Sequence, residues 1–228
     1  MIKLYRGEIL NFIDILYPPV CGFCGKLDKN RLCKKCKIRL KNQSACKIES
    51  YKDTSSYFDE HIYLFQYDGE IRDIIIKYKF EEKPYIYESF VKFIENNEKI
   101  CNQIVKYDII TPVPISQKRY KERGYNQSDL LAMNIAKSIN KKDLNKAISY
   151  KKTLVKIKDN QPQSTLSQEE RAKNVIGVYE AKTKENFTGK KVLLVDDIFT
   201  TGNTVNECSR ILKNIGVKSI GIFTIAKD

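Results

Sequence analysis

The stretch VLLVDDIFTTGNT, Val192 to Thr204, constrains the fold of this chain more than any other. Four apolar residues in a row, with no polar alternation, are the pattern of a strand covered on both faces, as in a parallel sheet between helices. Asp196 and Asp197 follow at the carboxyl end of that predicted strand. Beyond Gly202, NTVNECSRILKNIG repeats apolar side chains at helical spacing (Val205, Cys208, Ile211, Leu212, Ile215), with Gly216 as its stop. The threonine-rich turn therefore opens a helix.

That geometry suits a phosphorylated sugar. Free N–H groups at a helix start, the positive end of its dipole and the hydroxyls of Thr200, Thr201 and Thr204 converge on one anion, and Gly202 lets the backbone approach closely. Two carboxylates repel a phosphate, but they accept hydrogen bonds from vicinal sugar hydroxyls and can hold a bridging divalent ion. The combination points to a ribose phosphate. Two acids at a strand end also occur as an ordinary solvated loop.

The rest of the chain alternates in the same way. Strand character runs over Ile62–Tyr67, helical spacing over GEIRDIIIKYKF and YESFVKFIENNEKI, and a short strand in YDIITPVP stops at Pro112 and Pro114. NQSDLLAMNIAKSIN predicts a helix with Leu130, Leu131, Ile135 and Ile139 on one face. Two short strands follow, at 147–150 and 153–158, then a polar stretch, a helix start with capping-box spacing at Ser167 and Glu170, and strands in GVYEA and KSIGIFTIA. This order predicts an α/β fold, a mostly parallel sheet with helices on both faces, whose ligands bind beyond the carboxyl ends of the strands. A second such end, TPVPISQKRYKERGYNQ, brings Lys118, Arg119, Lys121 and Arg123 together as candidates for a second anion.

Ahead of this domain, CGFCGKLDKNRLCKKC sets Cys21, Cys24, Cys33 and Cys36 in two CxxC knuckles, the spacing of a structural zinc site with four thiolates and no open position. Seven cysteines with this arrangement fit a reducing compartment and a metal better than a disulfide framework. His61 reads as a strand residue, and Cys101 and Cys208 as helix positions. The expected organisation is an N-terminal helix over 1–17, a zinc-ribbon module over 18–50 and the α/β domain over 55–228. The N-terminal GEILNFIDILYPP is broken by Glu8 and Asp14, and no stretch reaches the roughly 18 to 20 apolar residues that span a bilayer, so no membrane insertion is expected; the cysteine usage points to a cytoplasmic location.

The net charge of +13 is concentrated in two zones: nine Lys/Arg against one acid over 21–47, and eight lysines against one acid over 137–158. Such zones attract polyanions and release counterions on binding. The same lysines also fit a solvated face in a chain rich in lysine throughout. Tyr78, Tyr120 and Tyr125 lie near the predicted loops, where tyrosines either stack on bases or belong to the core.

The threonine loop resembles the phosphoribosyl diphosphate (PRPP) signature of type I phosphoribosyltransferases. The order of zinc ribbon, RGYNQ (Arg123 to Gln127), Gln161 or Gln163 with Leu166, Glu170, Arg171 and Asn174, and then the PRPP loop is similar to the ComF family of competence proteins. The resemblance implies that Asp196 and Asp197 hold the ribose hydroxyls, that Thr200, Thr201, Gly202, Asn203 and Thr204 hold the 5-phosphate, and that Ser116, Arg119 and Arg123 belong to the diphosphate loop. It implies magnesium accompanying PRPP, a mobile cover over 158–167, and a role in handling imported single-stranded DNA during natural transformation. A separate alternative is that the zinc ribbon docks a partner such as a DNA-uptake translocase, with the DNA contact made elsewhere. One departure is Cys46, followed by Glu49 where many relatives carry another CxxC. The alternative is an active phosphoribosyltransferase with a small-molecule acceptor and no DNA role.

Overall fold

The computed structural model describes residues 18–52, 54–81, 83–142, 147–158, 175–182 and 185–228. The helix expected over 1–17, the capping box at Ser167 and Glu170, and nearly all of the polar cover stretch lie outside them.

Six strands form the main sheet: β1 (Lys47–Ser50), β2 (Glu60–Gln66), β3 (Ile109–Pro112), β4 (Ser149–Tyr150), β7 (Lys191–Phe199) and β8 (Ser219–Lys227), in the order β1-β2-β8-β7-β3-β4. Every pairing is parallel except β1 with β2 at one edge. The unbroken apolar run of β7 has the expected cause. Val192 and Leu194 enter the core on one face, while Leu193 and Val195 enter the core on the other. β8 divides its side chains in the same way, with Ile220 and Ile222 on one side and Phe223 and Ile225 on the other.

One face is covered by α2 (Gly69–Phe80), α3 (Ile86–Glu95), α4 (Glu98–Ile104) and α6 (Gln127–Lys141), and the opposite face by α7 (Asn203–Asn214). The expected single helix over YESFVKFIENNEKI is two. The chain breaks at Asn96 and Asn97, and Asn97 caps α4 by accepting from the Ile100 N–H at 3.1 Å. β5 (Leu154–Lys156) and β6 (Tyr179–Ala181) are antiparallel partners in a separate two-stranded sheet on the α7 side, not members of the parallel sheet.

The cysteine segment, with its helix α1 (Lys34–Gln43), shares a core with the main domain. Cys21, Phe23, Leu32, Cys36 and Leu40 are buried in the same cluster as the sheet and α3. Gly22 is needed for close packing. A Cβ there would stand 2.8 Å from Ser89 Oγ and 3.1 Å from the Ile86 Cα, and the Gly22 N–H itself donates to Ser89 Oγ at 2.8 Å.

Candidate functional site

The register of β3 against β7 decides where the site opens. Pro112 pairs with Val195, where β3 ends, but β7 continues to Phe199 along β8, pairing Asp196 with Thr224 and Phe199 with Lys227. The two acids therefore lie within the strand, not past its end, and only one of their edges is covered by sheet. Across the open edge stands the N-terminus of α6, where Ser128 Oγ donates to Asp196 Oδ1 at 2.9 Å. The Asp197 N–H donates to the same oxygen at 3.0 Å. Burial, and then the neighbouring Asp197 charge, push the Asp196 carboxyl up to about 7. Asp197 is ion-paired with Lys79 on α2, Nζ to Oδ1 at 2.8 Å.

A cavity of about 710 Å³ joins these groups to the threonine loop. Asp196, Asp197 and all of Thr200 to Thr204 line it, as do Arg119 and Arg123. Thr201 Oγ1 is buried with no hydrogen-bond partner among the described residues. A buried hydroxyl left without a partner costs free energy that a bound acceptor restores. Gly202, at φ +76°, N-caps α7, and a Cβ there would come 2.6 Å from Phe199 Cζ. The ring of Phe199 thus props the loop from below.

The second expected loop is partly a helix, α5 (Gln117–Arg123). Ser116 is its N-cap, buried and accepting from the Arg119 N–H at 3.3 Å, and is not part of the cavity wall. Arg119 and Arg123 are. Burial, and next the charge of Arg119, lower the Arg123 guanidinium below its ordinary value.

RGYNQ acts as a latch. Tyr125 Oη donates to the Tyr78 carbonyl at 2.6 Å, Tyr78 Oη donates to the Gln127 carbonyl at 2.7 Å, and Gln127 Nε2 reaches the Tyr78 and Lys79 carbonyls at 3.4 Å. Asn126 ties the segment to the chain just after β3 by donating to the Val113 carbonyl at 2.9 Å, and caps α6 by accepting from the Ser128 N–H at 3.0 Å. These bonds hold the end of α2 against the start of α6 and so deliver Lys79 to Asp197. Tyr78 is fully buried, which removes it as a stacking residue, whereas Tyr120 is exposed. Sequence reading missed Lys79 and Ser128. Ser128 adjoins RGYNQ and was within reach of that motif; nothing local marks Lys79.

The sulfurs of Cys21, Cys24, Cys33 and Cys36 lie within 4.8 Å of one another, with Cys24 Sγ and Cys33 Sγ 3.7 Å apart. The Cys36 N–H, donating to Cys33 Sγ at 3.5 Å, holds that thiol down at about 7. Cys46 is outside this group; its sulfur accepts from Asn97 Nδ2 at 3.0 Å. His61 is a buried strand residue bonded to Thr224 Oγ1 at 2.8 Å. The two basic zones partly meet. Lys37 Nζ bonds Asn96 Oδ1 at 2.6 Å and Lys142 Nζ bonds the Glu95 carbonyl at 2.5 Å, so exposed lysines of both zones gather at the end of α3. Lys151 and Lys152, in contrast, pair with Glu185 and Asp129. Among the described residues, no helix is long and apolar enough to cross a membrane.

A family model, the phosphoribosyl transferase domain, matches residues 128–228. Competence protein F of Haemophilus influenzae is 27% identical over 87% of this chain and 91% of its own length. Competence protein ComFC of Streptococcus pneumoniae is 24% identical over 91% of this chain and 80% of its own. The DNA utilization protein YhgH of Escherichia coli is 27% identical over 53% of this chain and 49% of its own. A purine phosphoribosyltransferase from Pyrococcus horikoshii superimposes with a TM-score of 0.39 at 14% identity, over 62% of this chain and 83% of that one.

Proposed function

From its homology to the competence proteins F and ComFC, and from its phosphoribosyl transferase domain, we propose that this chain binds PRPP and acts in the cytoplasmic handling of imported single-stranded DNA. The observation that carries the PRPP reading is one cavity lined both by the threonine loop at a helix start and by two carboxylates. A 5-phosphate on Thr200–Thr204 leaves the ribose hydroxyls at Asp196 and Asp197, whose carboxyl oxygens can accept hydrogen bonds from them. The diphosphate then extends toward Arg119 and Arg123, whose guanidinium forks match phosphate oxygens. Magnesium, when bound with PRPP, supplies charge neutralisation on the diphosphate. In a transfer reaction the C1–oxygen bond to diphosphate breaks as a nucleophile adds to C1. Positive charge gathers on the ribose ring and negative charge on the leaving group, so the chain's part is positioning and electrostatic support, with no nucleophile of its own.

The four cysteines fit a structural zinc. Tetrahedral thiolates at about 2.3 Å from a metal stand about 3.8 Å apart, and the 3.7 Å between Cys24 and Cys33 agrees. The DNA role is supported by the exposed lysines that gather at the end of α3. A translocase docking on the cysteine segment is compatible with the same surface.

Two measurements test this. In calorimetry with magnesium, PRPP should bind the wild type and not Asp196→Asn combined with Asp197→Asn; equal affinities would reject the pocket. In fluorescence anisotropy, labelled single-stranded DNA should bind at low salt, weaken as salt rises, and lose affinity when Lys37 and Lys142 become glutamate. No binding at low salt would remove the DNA role and leave a transferase with a small-molecule acceptor.

A further inference from the structure

His61 is the only histidine in the chain, and it stands where an apolar side chain would cost less. Its ring is fully buried. Nε2 faces Thr224 Oγ1 at 2.8 Å, and that hydroxyl donates its one proton to the Ala226 carbonyl at 3.0 Å, so Nε2 carries the ring proton and donates to Thr224. Nδ1 is then a bare acceptor, buried with no hydrogen-bond partner among the described residues. An unpaired buried acceptor lowers stability, a penalty that phenylalanine or leucine would avoid. Packing alone therefore does not call for histidine here. What the bond to Thr224 adds is direction, because it fixes the plane of the imidazole, and that plane lies against Phe199 at 4.3 Å between centroids and 25° from parallel.

Phe199 is the ring on which the threonine loop turns. A Cβ on Gly202 would stand 2.6 Å from its Cζ and 3.2 Å from its Cε2, so the left-handed glycine rests against the edge of the ring. The Phe199 backbone is held by pairing with Lys227 and by the Asp228 N–H, which donates to its carbonyl at 2.9 Å. Its ring depends on its neighbours. Tyr51 and Phe58 stand 6.2 and 6.1 Å away and the Lys227 Nζ 5.8 Å, all farther than the stacked imidazole. His61 belongs to β2, two strands from β7 in the sheet, and does not line the cavity. We infer that His61 is a positioning residue for the threonine loop, fixing through Phe199 the turn that receives a phosphate monoester. This rests on the 5-phosphate placement proposed above.

The full-length protein is titrated by calorimetry with ribose 5-phosphate, which carries the monoester, and with inorganic diphosphate, whose place is at Arg119 and Arg123. His61→Leu removes ring and hydrogen bond, His61→Gln keeps a bond to Thr224 without the ring, and His61→Phe keeps the ring alone. The leucine and glutamine variants should bind ribose 5-phosphate about three- to tenfold more weakly than the wild type, the worth of one aromatic pair. His61→Phe should recover most of that loss, and diphosphate affinity should be unchanged in all three. Unchanged ribose 5-phosphate affinity in both weakened variants, at a temperature where they are folded, makes His61 a structural residue only and overturns the inference. A loss that phenylalanine fails to rescue, or one shared equally by diphosphate, overturns it too.

A second measurement needs no stable variant at residue 61. In protein carrying no histidine tag, the ring NMR signals of a lone histidine need no assignment. Gly202→Ala, whose Cβ meets the edge of the Phe199 ring, should shift those signals, and Gly25→Ala, whose Cβ meets nothing within 4 Å, should leave them in place. Signals unmoved by Gly202→Ala disconnect the loop from His61 and overturn the inference while the pocket stands. Wild-type protein that binds neither ribose 5-phosphate nor PRPP overturns the pocket itself, and the positioning role with it.

Discussion

At Asp196 two nearby effects outweigh the donors that face the carboxyl. Ser128 Oγ and the Asp197 N–H both favour the carboxylate, but burial and the adjacent Asp197 charge raise the group from its ordinary 3.8 to about 7. Between those two pH values the folded chain retains a proton that the unfolded chain has lost. Stability therefore falls as pH rises through that window, and the full cost is present above it. Asp196→Asn should raise the melting temperature at pH 8 by at least about 2 °C, with a smaller gain near pH 4.5. A gain independent of pH would show that Asp196 is ionised throughout. His61 has the opposite sign. Burial lowers it to about 3 from 6.5, so stability present above pH 6.5 is lost as pH falls toward 3. His61→Gln, which can still bond Thr224, should flatten the acid side of the same melting curves; an unchanged acid limb would rule that out. His61 was legible in the sequence as a strand residue and Asp196 as an acid at a strand end. Their titration was not, because it depends on which neighbours exclude water.

The threonine loop and α7 work as one unit because Gly202 adopts a left-handed conformation that other residues take at a cost of about 1–3 kcal/mol. Gly202→Ala adds to that strain a Cβ 2.6 Å from the Phe199 ring. It should destabilise the protein and abolish PRPP binding in calorimetry, while Gly25→Ala, where a Cβ meets nothing within 4 Å, should leave PRPP affinity unchanged. Similar losses in both variants would separate the loop conformation from binding. The latch between α2 and α6 is a second unit. Tyr125→Phe removes a 2.6 Å bond to the Tyr78 carbonyl and should cost about 1 kcal/mol of stability. It should also weaken PRPP binding if Lys79 is set by that contact; stability loss with unchanged affinity would place Lys79 independently. RGYNQ was visible as a string, but its Tyr125 and Gln127 bond carbonyls 47 to 49 residues away, and no local pattern encodes them.

On the scale of the whole molecule, the cysteine segment is continuous with the domain core. Its buried Phe23 meets Phe90 of α3 edge-on at 5.2 Å between centroids, and Arg31 pairs with Glu88 at 2.7 Å. On the proposal that the four cysteines hold zinc, chelation, or replacing Cys21 and Cys24 with serine, should therefore lower the melting temperature of the entire protein in one transition, with any zinc content falling in parallel. Two separate transitions would show that the segment folds independently. Sequence alone determined the elements whose signals are local: the doubly buried strand at Val192–Val195, the threonine turn opening α7, and four thiolates at metal-binding spacing. Such features depend on neighbours a few residues apart, where periodicity and turn chemistry act directly. Tertiary structure alone decided that β3 stops beside Val195 and leaves the acids an open edge, that Lys79, Phe80 and Ser128 reach the same cavity, and that Lys37 and Lys142 meet at one helix end. Those placements follow from burying both faces of one sheet, a condition that every element must satisfy together and that no single stretch of residues expresses.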